Sequence, residues 1–252
     1  MLIYRITEEH NVQIEDEKFQ GLINQDLQEI INALKAAHFE VRIVGGAVRD
    51  ILLGDLPRDI DLLTNATPDE VIYILSSHEI EADVWGIKHG TIKAVINQVK
   101  YEITSLDFRI YKDEHGNLKI NETGTWADDA KRRDFTINAM SMELDGKVHD
   151  YLNGINDLKE QIVRPIPNFE EKIKNDPVTI LRFFKMLSKM PQPRYSKKTL
   201  ETVKRNIDLV TELDAKRIRK ELMNIRKGIN GTKTLSLMRK LGVLDLLNTA
   251  TK

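Results

Sequence analysis

Apolar positions recur along this chain with two different periods, and the change from one to the other divides it. Residues 1–21 are mixed and polar. Leu27, Ile30, Ile31 and Leu34 then repeat at three- and four-residue spacing, which predicts an amphipathic helix over 25–37. The run Val41-Arg42-Ile43-Val44 predicts a short strand ending at a glycine pair, Gly45-Gly46. A short helix is predicted over 48–53, closed by Gly54, and a strand over 59–63. Thr67 before Pro68 reads as an N-cap with proline in the first turn of a further helix. Strands are predicted over 91–96 and 101–106, and Asp113-Glu114-His115-Gly116-Asn117 reads as a loop tip. After about residue 155 the 3.6-residue period dominates. Leu200, Val203, Ile207, Val210 and Leu213 form one stripe, Ile218, Leu222 and Ile225 a second, and Leu235, Met238 and Leu241 a third. The pattern predicts an N-terminal domain of strands and helices over 1–155 and an all-helical domain over 156–252.

Composition narrows the classes. The 252 residues are 41% hydrophobic, enough for a core, and contain no cysteine. Disulfides and thiolate zinc sites are thereby excluded, and a reducing, cytoplasmic setting fits. No apolar run reaches the length of a membrane span, and the N-terminus lacks the apolar stretch of a signal peptide. The net charge of −1 hides an asymmetry: residues 179–252 carry 18 Lys and Arg against 6 Asp and Glu, and residues 1–178 carry 20 against 33. A basic C-terminal part beside an acidic N-terminal part suits a polyanion-binding element next to a metal-using one; a solvated, lysine-rich helical surface is the plainer alternative.

Three clusters carry chemistry. Asp59 and Asp61 stand at i and i+2 of a predicted strand, which puts both side chains on one face and sends Ile60 and Leu62 into the core. Paired carboxylates on a rigid strand suit a phosphoryl-transfer site, where Mg²⁺ takes a few carboxylates plus substrate phosphates. Gly45 and Gly46 let a backbone approach a triphosphate at a helix N-terminus, and Arg49, one turn on, can reach the same anion. The second cluster is Lys131-Arg132-Arg133-Asp134-Phe135-Thr136-Ile137-Asn138-Ala139. Its adjacent arginines project to different sides, so at most one of them faces a shared site, and Asp134 can accept from a ribose hydroxyl. In the third, Asn175-Asp176-Pro177-Val178-Thr179, Asp176 is expected to cap a helix starting near Pro177. Thr179, Arg182 and Lys185 then lie in a row on that helix. Taken singly, the second and third clusters read equally well as capped helices with solvated charges.

Together, in order and spacing, the clusters resemble the class II nucleotidyltransferases of the DNA polymerase β superfamily, which include tRNA CCA-adding enzymes and bacterial-type poly(A) polymerases. The resemblance runs over about 24–247. It rests on Gly45 to Asp50, Arg58 to Thr64, Lys88-His89-Gly90-Thr91-Ile92, Arg132 to Ala139, Asp176 to Lys185, and a neck-like element from Leu213 to Leu222. It implies an α+β fold: a polymerase-β-like head with a mixed or antiparallel sheet, followed by a basic helical neck that binds RNA, with body and tail domains largely absent. It further implies that Asp59 and Asp61 bind catalytic Mg²⁺, with Glu102 as a weaker candidate for a third carboxylate. Gly45, Gly46, Arg49 and Arg133 would hold the incoming triphosphate, Asp134 would read the ribose, and Asp176 with Arg182 and Lys185 would contact base and phosphates. The implied reaction adds nucleotides from CTP and ATP to an RNA 3′ end, most of all the CCA end of tRNA.

The chain departs from that family's pattern in the helix with which the family selects bases. The family helix reads Glu-Asp-x-x-Arg, with Asp and Arg pairing to the base edge; here Asn175 and Thr179 replace the Glu and the Arg. Threonine offers one short hydroxyl where arginine offers a fork of donors. Lys185 also replaces an arginine, and Asp107 stands where an arginine is usual, with Arg109 two residues on. Poly(A)-like or relaxed tailing, and a catalytically weak RNA-binding descendant, therefore stay open as alternatives. The cluster Lys216, Arg217, Arg219, Lys220, Arg226 and Lys227 is the expected phosphate-tracking surface. His149-Asp150 stands just before a turn, Tyr151-Leu152-Asn153-Gly154, and does not read as a metal-binding dyad.

Overall fold

The computed structural model describes residues 5–7, 11–13, 23–106, 109–112, 118–121 and 124–250. The expected loop tip at 113–117 and Asp107 lie outside the described residues. The strands are β1 (Arg5–Thr7), β2 (Asn11–Gln13), β3 (Val41–Val44), β4 (Asp61–Thr64), β5 (Glu81–Asp83), β6 (Thr91–Ile96), β7 (Val99–Ser105), β8 (Arg109–Lys112), β9 (Leu118–Asn121), β10 (Met140–Met142) and β11 (Lys147–Asp150). Helices α1 (Gln25–Ala36), α2 (Gly46–Leu52), α3 (Pro68–Ser77) and α4 (Trp126–Arg132) interleave with them. From Gly154 on the chain is helical: α5 (Gly154–Lys159), α6 (Phe169–Asn175), α7 (Val178–Lys189), α8 (Lys197–Arg205), α9 (Ala215–Lys227), α10 (Gly231–Lys240) and α11 (Val243–Ala250). One compact unit holds the chain up to Arg133 together with Asn138–Leu152, and the other holds Asp134–Ile137 and the chain from Asn153.

The first unit is built on a nine-stranded sheet in the order β1-β2-β11-β10-β3-β4-β7-β6-β5, with β8 and β9 as a separate ribbon. Every pair in the sheet is antiparallel except β4 with β7. Partners across a ladder share a face, so register sorts side chains into rows. Ile92, Ile103, Leu62, Ile43, Met142 and Val148 form one such row, all buried. Helices α1 and α3 flank the sheet and bury Leu27, Ile30, Ile31 and Leu34, and Val71, Ile74 and Leu75. Two caps fix their starts. Asn24 accepts the Leu27 N–H at 2.9 Å, and Thr67 with Glu70 forms a capping box. The alternate row carries Asp83, Lys93, Glu102, Asp61, Val44, Ser141 and His149, and is polar at most positions.

Two readings need correction, and one side chain departs from simple alternation. The carboxylate strand begins at Asp61, not at 59, because β3 turns away after Val44 and leaves no partner for Asp59 and Ile60. By alternation Leu63 shares the Asp61 side of β4, yet it is buried with Val44 and Leu106 beneath Trp126. The stripe from Leu200 to Leu213 is not one helix: α8 stops at Arg205, and a 3₁₀ segment, Ile207–Glu212, follows. Buried Asn206 holds the break, its side-chain amide donating to the Thr202 carbonyl at 2.9 Å and to Glu170 at 3.2 Å.

In the helical unit Phe135, Phe169, Phe183, Phe184 and Tyr195 form a linked aromatic cluster with centroids 5.3–6.4 Å apart. The helix α7 packs against α9 and α10. Gly228, at the end of α9, lies so close to α7 that an added Cβ would stand 2.4 Å from the Ser188 carbonyl oxygen. Gly228→Ala should therefore destabilise by about 1–3 kcal/mol through a backbone clash. Gly54→Ala meets open space but holds φ +81°, and should cost only about 1–2 kcal/mol. Thermal melts of the two variants check the order.

Candidate active site on the polar face of the sheet

The site begins at the turn between β3 and α2. Gly45 has φ +73° and ψ −130°, a conformation strained for any residue with a Cβ. Its N–H donates to the Met140 carbonyl at 3.2 Å, which ties the turn to β10. Asp61 is the β4 residue opposite Val44, so the turn and the carboxylate strand meet at one edge of the polar row. On the other side Asp61 faces Glu102 in the parallel β4–β7 register. Glu102 is paired with Lys93 at 2.7 Å.

Asp59, Asp61 and Glu102 are all exposed. The protein packed around Asp61 nonetheless pushes its carboxyl above the usual carboxylate range, the charges of Glu102 and Asp59 push the same way, and Arg133 and Lys93 oppose them. Like charges held together on one row are what a divalent cation would relieve. Among the described residues no three carboxylate or imidazole groups form a cage by themselves. An all-oxygen pair that leaves positions for substrate phosphates is the donor set that suits Mg²⁺.

Arg133 faces this row, as the alternation of the two arginines allowed. Its Nε and Nη2 donate to Asp129 Oδ2 at 2.9 and 2.7 Å, and its Nη1 lies 3.6 Å from where a Cβ on Gly45 would be. Arg132 reaches Asp129 only at 3.9 Å. Arg49 is buried. It donates to Asp50 at 2.9 and 2.7 Å and also to Asn138, so it braces the glycine turn from within. Gly46, the first residue of α2, packs against the Arg49 guanidinium. The reading from sequence assigned no role to Asp129, to Lys93 or to Asn138, although Asn138 lies in the second cluster. Asp129 had a signal, since it stands four residues before Arg133 on one helical face; the other two are joined to the site only by sheet register and a long-range contact.

The remaining candidates belong to the helical unit. Asp134 accepts the Phe135 N–H at 2.9 Å. Asp176 does not cap the following helix through its side chain as expected: it ends α6, its carbonyl accepts the Thr179 N–H at 3.0 Å, and Pro177 begins α7. Its carboxylate instead accepts from Arg217 at 3.2 Å and lies 3.9 Å from Arg182. Thr179 is 3% exposed and so leaves the expected row. Arg182 stays half-buried, and Lys185 pairs with Glu221 at 2.9 Å. His149 bonds Glu143 at 2.7 Å, and burial lowers its pKa.

A raised native pKa has a definite sign. Between the unfolded and the native pKa of Asp61, the native state binds more protons than the unfolded chain, so stability falls as pH rises through that window and stays reduced above it. Asp61→Asn should therefore melt higher than the parent protein at neutral pH, with the gain shrinking toward about pH 4. Added Mg²⁺ should raise the melting temperature of the parent more than that of the variant. Thermal melts across pH, with and without the metal, check both.

The chain is similar to proteins of known family. A family model described as the poly(A) polymerase head domain matches residues 41–164, and one described as a probable RNA- and SrmB-binding site of polymerase A matches 195–250. The chain is 33% identical over 235 residues to the mitochondrial CCA tRNA nucleotidyltransferase 1 of Danio rerio, covering 92% of this chain and 54% of that protein. It is 34% identical to the CCA-adding enzyme of Lactobacillus helveticus, covering 79% and 49%. Among solved structures, the Bacillus stearothermophilus CCA-adding enzyme in complex with CTP aligns with a TM-score of 0.73 at 27% identity, over 87% of this chain and 53% of that one. A tRNA nucleotidyltransferase complexed with a primer tRNA and an ATP analogue aligns at 0.69 and 26%, over 86% and 62%. The chain thus spans about half the length of the curated relatives it matches. On the two consecutive family models, the shared head-and-neck fold and these relatives, the chain belongs to the nucleotidyltransferase family of poly(A) polymerases and CCA-adding enzymes.

Proposed function

We propose that this chain is a template-independent RNA nucleotidyltransferase that adds nucleotides from CTP and ATP to the 3′ end of tRNA, building or repairing its CCA terminus. The observation that carries the proposal is the convergence of Asp61, Glu102, Arg133 and the Gly45 turn on one face of a sheet shared with CCA-adding enzymes. Asp59 and Asp61 would hold Mg²⁺, which when bound lowers the pKa of the attacking 3′-hydroxyl and neutralises charge on the departing pyrophosphate. Arg133, immobilised by Asp129, is a pre-oriented fork for a triphosphate beside a turn whose backbone has no side chain in the way. Arg49 serves by fixing that turn. Asp134 would meet the ribose, and Asp176 with Arg182 and Lys185 the base and phosphates. Lys216, Arg217, Arg219, Lys220, Arg226 and Lys227 are exposed on α9 and would track RNA phosphates. No described helix is long and apolar enough to cross a membrane; the cysteine-free sequence supports a cytoplasmic setting.

The buried Thr179 favours one second reading, poly(A)-like tailing with altered base choice. A single assay separates the two. The purified protein is incubated with Mg²⁺, tRNA lacking its 3′ end or a generic RNA, and each labelled NTP in turn. Ordered C, C, A addition to the tRNA is expected; tails of A alone on either RNA would support the second reading, and no incorporation would overturn both. Asp59→Ala and Asp61→Ala should each reduce incorporation to background while cooperative melting persists. Binding of tRNA should weaken steeply between low and physiological salt, by about 10³-fold or more if six phosphates are neutralised; a flat response would remove α9 from the RNA-binding surface.

A further inference from the structure

The charged trio Asp176, Arg182 and Arg217 is not absorbed by a packing role. All three side chains are roughly 40–50% exposed, at 37%, 39% and 48%. Both guanidinium groups converge on the same oxygen, Oδ2, and Oδ1 has no hydrogen-bonding partner among the described residues. The two arginines are not equivalent. Arg217 Nη2 stands at 3.2 Å with hydrogen-bond geometry, whereas Arg182 Nη1 stands at 3.9 Å, an ionic contact only. Arg217 is held at its backbone at the start of α9, its N–H donating to the N-cap carboxylate of Asp214 at 2.9 Å. Thr179, the second residue of α7, is buried and too short to add a donor fork to this carboxylate.

A carboxylate oxygen beside a guanidinium N–H presents an acceptor next to a donor. Cytosine and adenine present the complement on their pairing edges, an amino donor next to a ring-nitrogen acceptor. Uracil and guanine present a carbonyl acceptor next to a ring N–H, which sets acceptor against acceptor and donor against donor. Given the nucleotidyltransferase reading above, on which this rests, we infer that Arg217 is a specificity-determining residue: with Asp176 it forms the donor–acceptor pair that selects the amino-bearing bases, in the absence of an arginine at position 179. Binding exchanges part of the Arg217–Asp176 hydrogen bond for two bonds to the base, with Oδ1 taking the amino group.

The test uses Arg217→Lys, which keeps the charge that phosphate contact needs and removes the planar fork. Equilibrium binding of CTP against UTP, and incorporation of each into tRNA lacking its 3′ end, are measured for the parent, Arg217→Lys, Arg217→Gln and Arg182→Lys, with thermal melts confirming that each folds. The expected result is a fall of about 10- to 100-fold in the CTP-over-UTP ratio for both Arg217 variants, with a smaller change for Arg182→Lys. An unchanged ratio in Arg217→Lys, whether or not its melt shifts, makes the trio a surface ion cluster only and overturns the inference. A loss confined to Arg182→Lys overturns it in favour of the other arginine. The binding ratio is read without turnover, so a parent that prefers CTP yet adds no nucleotide would sink the proposed reaction and leave the selection intact. A parent that binds CTP and UTP alike would sink the selection.

Discussion

The parallel register of β4 and β7 is the constraint on which the site depends. It sets Asp61 against Glu102 on one face and Leu62 against Ile103 on the other. The second pair is fully buried, and sliding the ladder by one residue would exchange the faces, bringing two carboxylates into the core and two aliphatic side chains to the surface. The apolar row thus holds the acidic row in place. The repulsion this creates is what Lys93 and Arg133 offset from either side: Lys93 as the β6 neighbour of Glu102, Arg133 from the end of α4. The antiparallel pair of β3 with β4 adds the third part, because β3 must leave the sheet opposite Asp61 and does so through a glycine at positive φ.

Much of this was legible in the sequence, and the parts that were not share a cause. Stripes such as Leu27 to Leu34 and Ile218 to Ile225 declared their helices because one face of each is buried over several turns. The strands β10 and β11 passed unnoticed: at three and four residues each, they are too short for alternation to stand out. The stripe over 200–213 was misleading because a 3₁₀ turn nearly continues helical spacing, and only the side-chain bonds of Asn206 reveal the break. Local capping logic assigned Asp176 to the helix that follows it; a long-range guanidinium on α9 competes for the same carboxylate and wins. Thr179 has helical spacing with Arg182, yet burial follows from α7 packing against two other helices, which one helix's pattern cannot show.

At the candidate site the same limit appears in the arginines. Residue type alone does not separate Arg49, Arg132 and Arg133, all long cations beside glycine or aspartate; the resemblance to a family is what prefers Arg49 and Arg133. The structure distributes them by partner. Arg49 is enclosed with Asp50 and Asn138, where a guanidinium satisfies several acceptors at once. Arg133 is pinned through two of its nitrogens on Asp129, with its third toward the glycine turn. A cation fixed by a carboxylate loses less conformational freedom on meeting an anion than a free one does, so Asp129 serves the proposed site by holding Arg133.

The two units place different physical demands on their charged groups. Chemistry on the sheet requires charges that stay where they are: exposed carboxylates on a row whose back is solid aliphatic core, and a guanidinium clamped in two places. The proposed base selection requires charges that can change partners. An ion pair closed in the core would resist this, because separating buried charges is expensive. A half-exposed pair is worth little in stability, and so can be traded for a base edge at small cost. The exposure of Asp176 and Arg217 places them in that regime, and their single 3.2 Å bond is weak enough to exchange yet sufficient to keep the fork aligned with the carboxylate.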